Sequence, residues 1–220
     1  MKTKTVLAAA LVMLSLLLVN QRASAQTETP RYEVGVQFSS LSINEPNSSL
    51  YRTEPGFGGR FTVNLTDSFA VEAETDFYPN QSVFNSAGTA GRAFSGLFGA
   101  KIGKRYNRFG IYGKARPGFI SFSEGRISSV TSFTPPTSVA FTQPSRITHG
   151  AVDLGGVLEF YPSRHLVTRF DLGDTIIRYR PQTFNTLIGN FGGTPTIQPI
   201  MIPGSTKNNF QFNAGIGYRF

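Results

Sequence analysis

The stretch NNFQFNAGIGYRF, residues 208–220, alternates apolar and polar side chains over its whole length. Its apolar parity comprises Phe210, Phe212, Ala214, Ile216, Tyr218 and Phe220, and its polar parity comprises Asn209, Gln211, Asn213, Gly215, Gly217 and Arg219. Because successive side chains of a β-strand point to opposite faces, the stretch predicts a strand with one apolar and one polar face. A free edge strand of this kind is an aggregation hazard, which favours closure into a barrel.

Seven more segments show the same period of two, at residues 32–38, 57–65, 69–77, 94–103, 109–119, 152–160 and 166–172. The connections alternate between long polar loops, at about residues 43–55, 79–91, 122–146 and 180–207, and tight turns at residues 66–68, 105–108 and 161–164. Loops on one side and turns on the other are typical of transmembrane barrels. The sequence therefore predicts an all-β fold, an eight-stranded antiparallel up-and-down transmembrane β-barrel.

The N-terminus has the three parts of a secretory signal peptide. Lys2 and Lys4 precede an apolar run at residues 6–19, and the small residues 23–25 follow it. This run of fourteen residues is shorter than the roughly twenty that a membrane-spanning helix needs, which disfavours a retained anchor. We expect residues 1–25 to be the signal peptide, cleaved near Ala25, and residues 26–220 to form one barrel domain.

Composition excludes several classes of site. The chain has no cysteine, so it can build neither a disulfide framework nor a thiolate metal site. Loss of Lys2, Lys4 and Arg22 with the signal peptide lowers the formal charge from +8 to +5. The remaining basic residues are scattered along the strands, so the pattern does not indicate nucleic-acid binding.

The polar faces of the strands indicate which side of the barrel meets lipid. Besides Glu33, they carry Arg60, Glu72, Glu74, Asp76, Lys101, Lys114, Arg116, Asp153, Glu159, Arg169, Asp171 and Arg219. Seven acids against six bases suit an ion-pair network in a narrow lumen, with Arg60 packed against the acids of the third strand. The alternative is a secreted, lipocalin-like barrel with its apolar face inside; the absence of Trp and the terminal Phe220 argue against it.

One segment departs from the simple alternation. Asp174 falls on the apolar parity of the seventh strand. A β-bulge at Gly173 would shift the count by one residue. We therefore expect Asp174, Arg178 and Arg180 to turn inward, and Ile177 and Tyr179 to turn outward.

The chain resembles the small outer-membrane β-barrel family typified by the OmpA membrane domain and by OmpX. The sharpest local match is the terminal Tyr218-Arg219-Phe220, which is similar to the aromatic-terminated assembly signal of that family. The resemblance implies a location in the bacterial outer membrane, contact with outer-membrane lipid, and reading of Tyr218 and Phe220 by the assembly machinery. No periplasmic domain follows the barrel, so tethering to the cell wall is not expected.

Catalytic residue types are few. The two histidines are His149, which has inward parity and is followed by Gly150 and Ala151, and His165, which lies in a tight turn. A catalytic serine would need a histidine within hydrogen-bond reach on an outward strand face. We expect no catalytic, cofactor or metal site. The favoured function is a non-enzymatic envelope scaffold whose long loops meet an extracellular ligand of unknown identity. Three alternatives remain: a narrow pore or conduit for small solutes, an enzyme of envelope lipid, and a soluble ligand binder.

Overall fold

The computed structural model describes residues 30–46, 49–80, 89–130, 142–188 and 196–220. The expected signal peptide lies outside them, as do parts of the four long loops. The strands are β1 Tyr32–Asn44, β2 Tyr51–Asn64, β3 Phe69–Tyr78, β4 Ala93–Arg105, β5 Phe109–Val130, β6 Thr142–Phe160, β7 Leu166–Tyr179, β8 Gln182–Ile188, β9 Thr196–Ile202 and β10 Ser205–Arg219.

Eight of these strands form one closed antiparallel barrel in the order β1-β10-β7-β6-β5-β4-β3-β2. This confirms the all-β, eight-stranded fold. Two loops contain more structure than the sequence suggested: β5 and β6 run far into the segment expected at 122–146, and the segment at 180–207 contains the separate β8–β9 hairpin. Among the described residues, helices of a length and hydropathy sufficient to cross a bilayer are absent.

The lower part of the barrel wall, next to the three short turns, is apolar outside and polar inside. Val36, Phe98 and Ile102 point outward and are 65%, 62% and 66% exposed, whereas the charged inward side chains are buried. A soluble barrel has the reverse arrangement around its ligand. The wall therefore carries a lipid-facing belt, and the lipocalin-like alternative is wrong.

The polarity of the wall reverses at the end that carries the long loops. On β1, Phe38 is outward and half exposed, but Leu41 and Ile43 further along the strand point inward and are fully buried. On β7, Ile177 and Tyr179 also point inward and are buried. On these two strands the inward side chains at this end are thus apolar and buried, as in the core of a water-soluble protein.

The bulge expected at Gly173 is wrong. β7 pairs with both β6 and β10 without a register shift across this residue. Asp174, Arg178 and Arg180 therefore stay on the outward face, and Ile177 stays on the inward face. The change in polarity comes from the strand leaving the lipid-facing belt and entering the water-facing part of the wall.

Candidate functional site

The lumen is the candidate site, because every charged residue assigned to it from the sequence lies there and is buried. These residues are Arg60, Glu72, Glu74, Asp76, Lys101, Lys114, Arg116, Asp153, Glu159, Arg169, Asp171 and Arg219. Alternation along paired strands directs them to one enclosed space. Charges enclosed in this way are stable only when they pair.

Two arginines connect non-adjacent strands of the lumen wall. Arg116 of β5 donates through Nε to Oδ2 of Asp153 on β6 at 2.9 Å and through Nη1 to Glu74 on β3. Arg169 of β7 donates through Nη2 to Oε2 of Glu72 at 2.9 Å and to Oδ2 of Asp171 at 3.0 Å. Each guanidinium thus spans two strands, which holds the middle of the barrel as one network.

Two lysines complete the middle of the network. Lys114 Nζ lies 2.9 Å from Asp153 Oδ2 and 3.5 Å from Asp171 Oδ2. Lys101 pairs with Glu159, and its ammonium lies 4.7 Å from the centroid of the Tyr112 ring. Both ammonium groups therefore have an acidic partner.

Arg60 has a different partner from the one expected. Its Nη2 donates to Glu33 Oε1 at 2.9 Å, and its Nη1 donates to Gln37 Oε1 at 3.3 Å. Both acceptors belong to β1, and the residue opposite Arg60 on that strand is Gly35, which has no side chain in the way. The expectation that Arg60 packs against the acids of β3 is wrong, because arginines and a lysine from other strands pair with Glu72 and Glu74, and glutamine amides bind Asp76.

A layer of amide and hydroxyl groups lies on the long-loop side of the charges. Gln37 donates to Asp76 Oδ1 at 2.9 Å, and Asn213 donates to Glu74 Oε1 at 3.0 Å. Ser39 donates to Asn213 Oδ1 at 2.7 Å and lies 2.8 Å from the hydroxyl of Tyr78. The layer satisfies carboxylate oxygens that the basic side chains do not reach.

An apolar cap closes the lumen above this layer. We use this name for the inward cluster Leu41, Ile43, Tyr78, Ala93, Leu97, Ile120, Phe122, Ala151, Ile177 and Tyr179. Its members come from β1, β3, β4, β5, β6 and β7, and each is buried. A close-packed apolar layer excludes water, so it separates the charged lumen from the long-loop end.

Aromatic rings and cations close the opposite end, next to the short turns. Arg219 and Arg105 lie over the ring of Tyr161, at 4.4 and 4.9 Å from its centroid. The Tyr161 hydroxyl donates to Glu159 Oε2 at 2.8 Å. Burial raises the pKa of Tyr161 well above its ordinary value, and the nearby Glu159 carboxylate adds to this rise, so the phenol stays a donor.

The contacts of the two histidines indicate a structural role. His149 is buried beside the cap, accepts a hydrogen bond at Nδ1 from the backbone N–H of Arg180, and contacts the Tyr179 ring edge-on at 4.9 Å. His165 lies in the turn at the other end and stacks on Tyr218 at 5.6 Å. Among the described residues, no cluster of three or more His, Cys, Asp or Glu side chains could hold a metal ion.

The terminal aromatics lie on the outer surface at the short-turn end. Tyr218 and Phe220 are 54% and 58% exposed, and their rings stack at 6.2 Å. Tyr32 packs on Phe220 from β1 at 5.8 Å. These rings form an exposed aromatic patch beside the seam between β1 and β10.

The candidate list from the sequence omitted much of the lumen filling. Strand alternation alone would have predicted the inward placement of three uncharged residues, Gln37, Gln211 and Asn213. The alternation could not have indicated Tyr161, because this residue lies in the turn that follows a strand. The cap could have been predicted only by extending the alternation of each strand beyond the lipid-facing belt.

Comparison with known proteins gives a family match. The family model described as outer membrane protein beta-barrel domain matches residues 9–220. The fold is similar to Ail of Yersinia pestis, solved with the heparin analogue sucrose octasulfate, at 12% identity, 88% coverage of this chain, 100% of that chain and a TM-score of 0.47.

Two further structures are similar at the same level. Neisserial surface protein A has 12% identity, coverage of 86% of this chain and 97% of that chain, and a TM-score of 0.49. OprG from Pseudomonas aeruginosa has 12% identity, coverage of 88% and 97%, and a TM-score of 0.47. No curated protein matches this sequence.

Proposed function

Because the chain belongs to the outer membrane protein β-barrel family, we propose that it is a non-enzymatic, non-conducting scaffold that presents surface-exposed segments for interaction. Family membership indicates the bacterial outer membrane as its location. Its short-turn end then faces the periplasm and its long-loop end faces outward. The signal peptide at residues 1–25 and assembly through Tyr218 and Phe220 are part of this proposal.

The apolar cap above the charged lumen is the main support for a non-conducting scaffold. An eight-stranded barrel is just wide enough for side chains to fill. Here Arg169 pairs with Glu72 on the opposite wall, Arg116 pairs with Glu74 two strands away, and the cap adds a dry layer that ions cross only at high cost. Both features support a filled lumen over a conduit for small solutes.

Long strands support the interaction role. β5 has 22 residues, whereas a tilted strand crosses a bilayer with about nine to eleven. β6 has 19 residues, so the β5–β6 hairpin extends well beyond the lipid-facing belt. The β8–β9 hairpin adds a second ordered element at that end. Rigid extensions of this kind can present loops to a partner at little entropic cost.

The histidine positions support the non-enzymatic part of the proposal. A serine nucleophile needs a base within hydrogen-bond reach. Nδ1 of His149 already accepts the Arg180 N–H inside a buried cluster, and His165 lies at the opposite end of the barrel.

Planar-bilayer recording tests the proposal. We expect refolded protein to show no steady conductance. Because the chain has no Trp, the variant Phe98→Trp places one reporter on the lipid-facing belt, and quenching of its fluorescence by brominated lipid proves insertion. Inserted protein that nevertheless conducts steadily would contradict the scaffold and establish the narrow pore in its place.

A further inference from the structure

A groove of about 610 Å³ lies on the long-loop end of the wall, where β6, β7 and β10 meet. Its lining comprises Gly150, Arg178, Tyr179, Arg180, Pro181, Gly204, Ser205 and Thr206. Gly150, Arg178 and Thr206 are neighbours across the three strands. The groove is separate from the lumen, because the buried Tyr179 and His149 lie between them.

The groove lies at the upper edge of the lipid-facing belt. The next outward row below Arg178 contains Val152 of β6, Ile176 of β7 and Asn208 of β10. The row beneath it contains Leu154, Asp174 and Phe210, so apolar side chains predominate below the groove but one acid lies among them. At and above Arg178 the outward side chains are polar or absent. A ligand in the groove would thus have hydrocarbon below it and water above it.

The groove is basic. Both arginines are exposed, and neither forms an ion pair with a carboxylate among the residues that the structure describes. The outward acid of the same strand, Asp174, is four residues from Arg178, a separation of roughly 13 Å along a strand. Ser205 is also a lining residue, but it pairs with Tyr179 and shares its inward parity, so its buried hydroxyl does not face the two arginines.

We propose that this groove binds the phosphorylated headgroup of an outer-leaflet lipid. Two guanidinium groups match the oxygens of phosphate with parallel N–H donors. The acyl chains of the lipid then run down the belt over Ile176 and Val152. Basic pockets at this depth of a membrane protein are suited to anionic headgroups.

Gly150 allows the groove to be closed without removing charge. A Cβ built on this residue meets no atom within 4 Å, so a larger side chain at this position extends into open space. Gly150→Phe therefore narrows the groove while leaving both arginines in place. The double substitution Arg178→Gln with Arg180→Gln has the opposite effect, since it removes the positive charge and keeps the volume of the groove.

Binding is measured with the whole barrel refolded in zwitterionic detergent, by titrating diphosphorylated lipid A and counting bound lipid by native mass spectrometry. We expect the double variant R178Q/R180Q to weaken binding at least about tenfold, and Gly150→Phe to weaken it as well. R108Q/R164Q removes two exposed arginines from the short-turn end and should bind as the parent does. A heat-dependent gel shift shows that each variant is folded.

Other outcomes overturn the proposal. Absence of lipid A binding, unchanged binding by R178Q/R180Q, or an equal loss in R108Q/R164Q would each exclude a specific groove site. Dephosphorylated lipid A should bind the parent and R178Q/R180Q alike, and a persisting difference would exclude phosphate as the recognised group. Inorganic phosphate that binds as tightly as lipid A would assign the groove to a free anion instead.

Discussion

Tyr32 and Phe220 close the barrel by exchanging backbone hydrogen bonds, since the N–H of each donates to the carbonyl oxygen of the other at 2.9 Å. Their rings also pack on the outer surface, 5.8 Å apart. The backbone pair and the ring of Phe220 therefore have separable roles. The backbone joins β1 to β10, whereas the ring remains more than half exposed and available for recognition.

This separation predicts the behaviour of Phe220→Ala. The variant keeps both backbone hydrogen bonds and loses a half-buried ring, so its free energy of unfolding in vitro should fall by only about 1–2 kcal/mol. If the ring is read during assembly, the amount of assembled protein in cells should fall far more. Urea unfolding and heat-modifiable protein in membranes measure the two effects.

Phe210→Ala is the matched control, because Phe210 lies on the same face of the same strand with similar exposure. It should reduce stability to a similar extent and leave assembly in cells intact. Equal assembly defects in both variants would mean that the Phe220 ring serves packing rather than recognition.

Arg60→Ala tests the lumen pairing. Loss of this cation leaves the buried Glu33 carboxylate without its partner, and the free energy of unfolding should fall by more than about 2 kcal/mol. Adding Glu33→Gln should recover part of this loss, whereas adding Glu74→Gln should not, because Glu74 pairs with Arg116. A loss below about 0.5 kcal/mol for Arg60→Ala would show that this side of the lumen is solvated.

The apolar cap should respond as a protein core does. Phe122 is fully buried in it, so Phe122→Ala should cost about 3–5 kcal/mol of unfolding free energy. Phe98, 62% exposed on the lipid-facing belt, should cost less than about 1 kcal/mol when changed to Ala. Comparable losses from urea titration of both variants would contradict the reversal of polarity along the wall.

Two glycines should tolerate alanine very differently. A Cβ at Gly58 would lie 2.1 Å from Oδ1 of Asp76 and 2.2 Å from the carbonyl oxygen of Thr75, so Gly58→Ala should cost at least about 1–3 kcal/mol. Gly150→Ala should change stability by no more than about 0.5 kcal/mol, because its Cβ meets no neighbour. Thermal unfolding followed by the gel shift measures both, and a neutral Gly58→Ala would show that β2 and β3 can separate there.

The mature protein should begin near Gln26 and fractionate with the outer membrane, because residues 1–25 have the pattern of a cleaved signal. N-terminal sequencing and density-gradient fractionation measure these properties. Recovery of the protein from the soluble periplasmic fraction would be incompatible with the proposed location.

Parity along the strands was sufficient to predict the barrel and the buried charges. Residues such as Glu72 and Arg169 alternate with outward-facing neighbours, and alternation alone determines which face they share. Pairing between side chains was not predictable in the same way. Arg60 is next to both β1 and β3, and its choice of Glu33 depends on the space that Gly35 leaves and on which cations reach the acids of β3.

The β7 error has a physical origin. If one solvent covered the whole outer surface, the outward Asp174 and Arg178 and the inward Ile177 would require a shifted count. Neither residue is displaced: the strand is regular and the surroundings change. Leu41 and Ile43 on β1 show the same change of polarity. A comparison of β1 with β7 would therefore have indicated that the polarity of the wall reverses.

The reversal also fixes how deep the barrel sits. On β1 the outward surface changes from Phe38 to Ser40 and Ser42 within a few residues, and on β7 it changes from Leu172 through Asp174 and Ile176 to Arg178. Raising the barrel would put aromatic rings into water, and lowering it would put an arginine into hydrocarbon, each at a cost in free energy. A bilayer of different thickness must therefore adapt to this protein by local thinning or thickening, so the barrel imposes its own hydrophobic span on the lipid around it.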